Sequence, residues 1–248
     1  MLQSTGISPF SGSPLNQFLA LVISALLLSA QPGATQQVYD GVSPVWLAAV
    51  GKLTVPVQTW DGQDWNHKRE HCSATLLRRA AAASAQYLLS AWHCVEHYRD
   101  LSYDINFELP GSDQLRPAHI VTSGGGMEAD WVLLKLHSPI PASATNSLVL
   151  PSGDGITENL VMAGYSSGAL GKLGSAPLSY DNNCRVLDKG ERLVTTNCHA
   201  SKGASGGPVV SEFEGNVQIL GVVSSGDGIS RSLYVPVRVF VRALRQYL

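Results

Sequence analysis

Gly203-Ala204-Ser205-Gly206-Gly207-Pro208-Val209 places a serine in a glycine-rich turn directly ahead of a strand-like apolar run. Gly203, Ser205 and Gly207 fit the Gly-x-Ser-x-Gly pattern by which an α/β-hydrolase presents its nucleophile. A serine hydroxyl is barely ionised at neutral pH and needs a base within hydrogen-bond reach. An imidazole suits the task because it titrates near neutrality. In an α/β-hydrolase that histidine follows the serine in the chain. All seven histidines here, at positions 67, 71, 93, 97, 119, 137 and 199, precede Ser205. The α/β-hydrolase order is therefore excluded.

Two segments upstream carry matching chemistry. Leu88-Leu89-Ser90-Ala91-Trp92-His93-Cys94 is a strand running into a histidine. Ala129-Asp130-Trp131-Val132-Leu133-Leu134 puts an acid immediately ahead of an apolar strand. An orienting carboxylate must be buried beside the imidazole. Asp100, Asp104 and Asp113 are nearby, but none directly precedes so apolar a strand. The candidate catalytic set is His93, Asp130 and Ser205, in the chain order of the chymotrypsin type. Glycine lets the backbone aim N–H groups at a developing oxyanion. The N–H groups of Gly203 and Ser205 are the candidates for that role.

The surrounding chain reads as short strands bounded by Gly, Pro, Ser, Asn or Asp. The first half gives Leu47–Val55, Cys72–Leu77, Tyr87–Ala91, Ile105–Leu109, His119–Ser123 and Trp131–Leu136. The second half gives Asn159–Ser166, Cys184–Leu187, Leu193–Cys198, Pro208–Phe213, Val217–Ser225 and Leu233–Val237. Val237, Phe240, Val241, Leu244 and Leu248 form one apolar face of a C-terminal helix. The division expected is a segment over 35–44, a first barrel over 45–138, a connector over 139–154, and a second barrel with the helix over 155–248.

Leu89-Ser90-Ala91-Trp92-His93-Cys94 resembles the T-A-A-H-C motif of chymotrypsin/trypsin-like serine peptidases. Asp130–Leu134 resembles that family's D-I-A-L-L, and Gly203–Pro208 resembles its G-D-S-G-G-P. The resemblance runs from about Val45 to Leu248. It is closest in kind to compact bacterial members related to glutamyl and lysyl endopeptidases. It implies an all-β fold of two six-stranded antiparallel barrels with a C-terminal helix and the site between the barrels. It also implies disulfides Cys72–Cys94 and Cys184–Cys198, and a hydrogen bond from Ser224 to Asp130. Ser224, Ser225 and Gly226 would bind substrate, the backbone pairing as an added strand, with His199 by the specificity pocket.

The sequence departs from that family in four places. Ala204 stands where digestive members carry the Asp that pairs with a newly freed N-terminus. A site competent without such a cleavage is therefore expected. Trp92 replaces a small residue and should fill space under His93. The position six before Ser205 is His199, not the Asp by which trypsin reads Lys and Arg. No histidine follows Ser205, so the group by which glutamyl endopeptidases read an acidic side chain is missing. Ser225, with Ser232 near the pocket floor, leaves small, neutral or basic side chains open. Asp227 reads as a turn residue, with a pocket-mouth role for basic side chains as the alternative.

Composition narrows the remaining choices. Of 248 residues, 24 are Gly and 15% are charged, with a formal charge of −2. That balance argues against a nucleic-acid binder acting through a basic face. No charged residue or histidine precedes Asp40. Phe18–Leu28 is an apolar core shorter than the roughly 18 residues a spanning helix needs. Residues 1–34 read as a signal peptide, although the usual leading basic residue is missing. Four cysteines in an exported chain read as two disulfides. His-Cys neighbours occur three times, yet neither H-E-x-x-H nor C-x-x-C is present, so no metal is expected. The sequence thus reads as a secreted or periplasmic serine endopeptidase, monomeric, acting on proteins or peptides. It needs no cofactor and keeps no membrane span after leader removal. A non-catalytic binding protein on a protease scaffold and an esterase using the same triad are the alternatives.

Overall fold

Alternating apolar residues build the first half. The computed structural model describes residues 36–99, 102–151, 159–168 and 171–248. The expected leader over 1–34, Asp100 and residues 152–158, where the expected connector passes into the expected second barrel, lie outside them. In β2 (Val50–Trp60), Leu53, Val55 and Val57 are buried while Lys52, Thr54 and Pro56 face outward. β2 pairs antiparallel with β3 (Trp65–Arg78) from Val50↔Thr75 to Trp60↔Trp65. The expected strand began only at Cys72, because Trp65–His71 is too polar to read as one. Its pairing with β2 and the turn between them carry it. There the Asp61 carboxylate accepts the N–H groups of Gln63 and Asp64, both at 2.9 Å.

β4 (Ser84–Ser90), β5 (Ile105–Glu108), β6 (Arg116–Ser123) and β7 (Val132–Pro141) complete the ring. The order β2-β5-β6-β7-β4-β3 closes on itself through the β2–β3 ladder, giving a closed six-stranded barrel. Leu53, Leu76, Leu88, Phe107 and Leu134 fill it and are fully buried. Each such side chain contributes about 1.5–3 kcal/mol on leaving water. β8 (Leu148–Val149), within the connector region, adds to β3 in parallel.

The second half contains β9 (Leu160–Gly164), β10 (Ser179–Cys184), β11 (Val186–Lys189), β12 (Val194–Thr196), β13 (Pro208–Phe213), β14 (Asn216–Gly226) and β15 (Ser232–Pro236). β1 (Gln37–Val38) pairs with β10, so residues 37–38 join this sheet. The order is β1-β10-β9-β13-β14-β15-β12-β11. This is a half-barrel sheet where a second closed barrel was expected. β10 bulges between Asp181 and Cys184, which removes it from a regular ladder. Side chains stitch that edge instead. The Asp181 carboxylate accepts the Asn183 N–H at 3.0 Å and the His199 N–H at 2.8 Å. The Cys184–Cys198 disulfide joins the same two segments.

α1 (Val237–Leu244) buries Val237, Phe240 and Leu244 and leaves Arg238 and Arg242 in water. Phe240 packs on Trp131, next to Asp130, with ring centroids 6.0 Å apart. The C-terminal helix thus braces the strand that delivers the acid.

Candidate active site

β4 delivers His93. Ala91 remains extended, with φ −85° and ψ 143°, and Trp92–Cys94 then makes a single 3-10 turn. The Val95 N–H closes that turn on the Trp92 carbonyl at 2.9 Å. Cys94 is bonded to Cys72 of β3, so the turn is anchored to the neighbouring strand. Trp92 is half-buried against the core.

Asp130 sits two residues before the start of β7 and is 0% exposed. Asp104 and Asp113 are exposed, so burial singles out Asp130 as the sequence argument required. Its Oδ1 accepts the His93 backbone N–H at 2.9 Å. Its Oδ2 lies 2.8 Å from His93 Nδ1 and accepts the Ser224 hydroxyl at 2.5 Å. A proton on Nδ1 satisfies the first of these contacts and leaves Nε2 free to accept. Burial alone would raise the Asp130 pKa. The hydrogen bond and charge of His93, the Ser224 hydroxyl and the His93 N–H outweigh it and hold the carboxyl below its ordinary 3.8.

Ser205 precedes β13. Its Oγ donates to the Ser224 carbonyl at 3.2 Å. His93 Nε2 lies 3.9 Å from Cys94 Sγ, and no hydrogen bond joins it to Ser205 among the described residues. In free enzymes such bonds commonly tighten only when substrate binds. Ser224 therefore contacts both ends of the constellation, its hydroxyl on Asp130 and its carbonyl on Ser205.

The turn before Ser205 is held from both halves of the fold. The Ser73 hydroxyl donates to the Gly203 carbonyl at 2.8 Å and accepts the Tyr165 N–H at 2.9 Å. The Ser73 N–H donates to the Ser205 carbonyl at 2.8 Å. The Ser167 N–H holds the Lys202 carbonyl at 2.9 Å, and the Ala204 N–H closes on Ser201 at 3.0 Å. Gly203 has φ +100°, which a side chain would oppose. The N–H groups of Gly203 and Ser205 bond to no protein acceptor among the described residues. They are available to an incoming oxyanion.

Ser224, Ser225 and Gly226 end β14, paired with β15 through Ser225↔Leu233 and Gly226↔Ser232. His199 is tied to Asp181 by its backbone, and no ring hydrogen bond links it to Ser205 among the described residues. Ser232 is fully buried and donates to the Cys198 carbonyl at 2.7 Å. The exposed Asp227 carboxylate accepts the N–H groups of Ile229, Ser230 and Arg231 within its own turn. Those bonds, that of Arg231 foremost, lower its pKa.

Ser73, Ser90 and Ser167 escaped sequence reading. The Ser90 hydroxyl donates to the Ser73 carbonyl at 2.8 Å, supporting the clamp from below. A serine on a strand carries no signal of such a role; adjacency to Cys72 was the only hint for Ser73. Cys72, His93 and Cys94 bring ligand-type atoms within 4.8 Å of one another, but the disulfide occupies both sulfurs. A cavity of about 840 Å³ lies on the outer face of the β2–β3 hairpin, by Lys52, Arg69, His71 and Gly174. None of the candidate catalytic residues lines it.

Residues 72–221, more than half of the chain, match the family model described as the trypsin-like peptidase domain. The chain belongs to the trypsin-like peptidase family. A search of curated proteins finds no match. Among solved structures, this trypsin-like peptidase is similar to the active form of the Rv3671c protease from M. tuberculosis. That match has a TM-score of 0.54 and 16% identity, covering 97% of this chain and 93% of the other. It is also similar to the thermostable serine protease AL20 from an extremophilic microorganism. There the TM-score is 0.57 and the identity 15%, covering 81% of this chain and 98% of the other. At such identities the likeness establishes the fold of the peptidase domain alone.

Proposed function

We propose that this peptidase is an exported serine endopeptidase working through an acyl-enzyme. Ser205 Oγ attacks the peptide carbonyl while His93 Nε2 takes its proton. Asp130 holds the imidazole in position and stabilises the imidazolium. The N–H groups of Gly203 and Ser205 receive the oxyanion. His93 then returns the proton to the leaving amine. Water, activated by the same imidazole, releases the acyl group and regenerates Ser205. Proteins or peptides are the substrates, pairing with Ser224–Gly226 on the acyl side.

The single observation that carries this reading is the buried Asp130, bonded at once to the His93 backbone, the His93 ring and Ser224. A carboxylate desolvated to that degree is tolerated because those bonds pair it, and two of them fix His93 against it. The Ser167 and Ser73 contacts support a site formed without a liberated N-terminus, since Ala204 offers none a partner. Two disulfides support export to the periplasm or medium. No helix among the described residues is long and apolar enough to cross a membrane. The protein acts as a monomer.

Labelling with an organophosphonate tests the assignment. The wild type should be modified on Ser205, and Ser205→Ala should not. Folded protein that resists Ser205 labelling would sink the reading. The Ser205 hydroxyl bonds the Ser224 carbonyl and not His93, which favours the second reading, a non-catalytic binding protein on this scaffold. Casein hydrolysis abolished by Ser205→Ala would exclude it.

A further inference from the structure

The acyl residue of a substrate meets a closed wall. Its carbonyl carbon must reach Ser205 Oγ while its oxygen faces the N–H groups of Gly203 and Ser205. The chain before it runs beside Ser224–Gly226. Its side chain is then directed between that strand end and Ala200–Lys202, the segment leading into Gly203. A ring placed there needs walls about 7 Å apart, with about 3.5 Å of contact distance on each side.

The two walls touch. The Gly228 N–H donates to the Ala200 carbonyl at 2.9 Å. A Cβ added to Gly226 would strike the Ala200 oxygen, and would stand 2.8 Å from its carbonyl carbon and 3.0 Å from its Cβ. Only glycine fits at 226 even with the slot empty. Below this contact the interior is full. Ala200, Cys198 and Ser232 are essentially inaccessible. The Ser232 hydroxyl is occupied by the Cys198 carbonyl, and Thr196 Oγ1 accepts the Cys198 N–H at 3.2 Å. Among the described residues no free acid is seen there for a basic side chain, because Asp227 is turned into its own loop.

We propose that the enzyme selects glycine, alanine or serine on the acyl side of the scissile bond, with the Gly226–Ala200 contact as the size filter. This rests on the serine-protease reading above. Leucine, phenylalanine and arginine would have to pull a pair of hydrogen-bonded segments apart before the carbonyl could reach Ser205.

The test is a peptide series varied only at the acyl residue, run beside labelling by diisopropyl fluorophosphate. That reagent carries no amino-acid side chain, so it reports Ser205 independently of the slot. Alanine and serine should exceed phenylalanine and arginine by about 100-fold in kcat/KM. Ser205 labelling with phenylalanine, leucine or arginine equal to alanine would overturn the size filter alone. Labelled protein that cleaves none of the series would overturn it as well. Absence of Ser205 labelling would remove the protease reading, and the filter with it.

Discussion

Ser73→Ala is the most informative single change outside the candidate triad. The hydroxyl is fully buried and makes two bonds, to the Gly203 carbonyl at 2.8 Å and from the Tyr165 N–H at 2.9 Å. Its removal leaves a buried acceptor and a part-buried donor unpaired. Each costs about 1–3 kcal/mol, so roughly 2–6 kcal/mol of stability should be lost. For a domain of this size that is a fall of roughly 4–24 °C in Tm. Catalysis should suffer separately. The Gly203 carbonyl belongs to the peptide that follows the oxyanion N–H, and Ser73 prevents that peptide from turning. Losing one oxyanion donor outright costs about 10²–10³ in kcat. Losing the brace should cost a fraction of that, about 10–100-fold, with KM little changed. The assay is single-turnover acylation by an activated ester, with urea unfolding in parallel. Ser73→Gly, which leaves room for a water, should recover some of the rate. A Ser73→Ala enzyme that unfolds more easily yet acylates at the wild-type rate would refute the positioning argument.

Asp130→Asn should lower kcat by about 10⁴-fold through loss of the imidazole orientation. The pH dependence of stability follows from the same residue. Its folded-state pKa lies below 3.8, so its contribution is present above the unfolded value and disappears as pH falls through the folded one. Acid unfolding of wild type and Asp130→Asn should therefore converge as pH falls well below the ordinary carboxylate value of 3.8; persistent divergence there would contradict it. Replacing Cys184 and Cys198 by alanine should cost about 3 kcal/mol, as for a loop of about 15 residues. The bridge spans 14 positions and closes the edge that lacks a ladder. Hydrogen exchange in that double variant should rise first in β10 and β12, and a uniform rise would count against a local role.

Much of the site was legible because the chemistry constrains order and neighbourhood. Ser205 could be read from its glycine turn, His93 from the strand before it, and Asp130 from the apolar run after it. The two disulfides matched the pairing that family resemblance implied. Polar residues on strands were harder. Trp65–His71 lacks alternation because neither of its faces is buried, so only its ladder with β2 reveals it as β3. Ser73 and Ser90 act through backbone carbonyls brought together from distant positions, and no local pattern encodes that. The half-open second sheet was also illegible, since a bulge at Asp181–Cys184 depends on which segments meet across the edge.

The sequence by itself determined that Ser205 could not belong to an α/β-hydrolase, because every histidine precedes it. From order and neighbours it put forward His93, Asp130 and Ser205 as candidates, and from its even cysteine count two disulfides, whose pairing only the family resemblance implied. Only the tertiary structure decided that Asp130 is the buried acid, that Ser73 and Ser167 hold the turn that Ala204 cannot, and that Gly226 lies against Ala200. Order along the chain is a property of the sequence. Burial, hydrogen-bond partners and the width of a slot exist only when segments far apart in sequence are packed together.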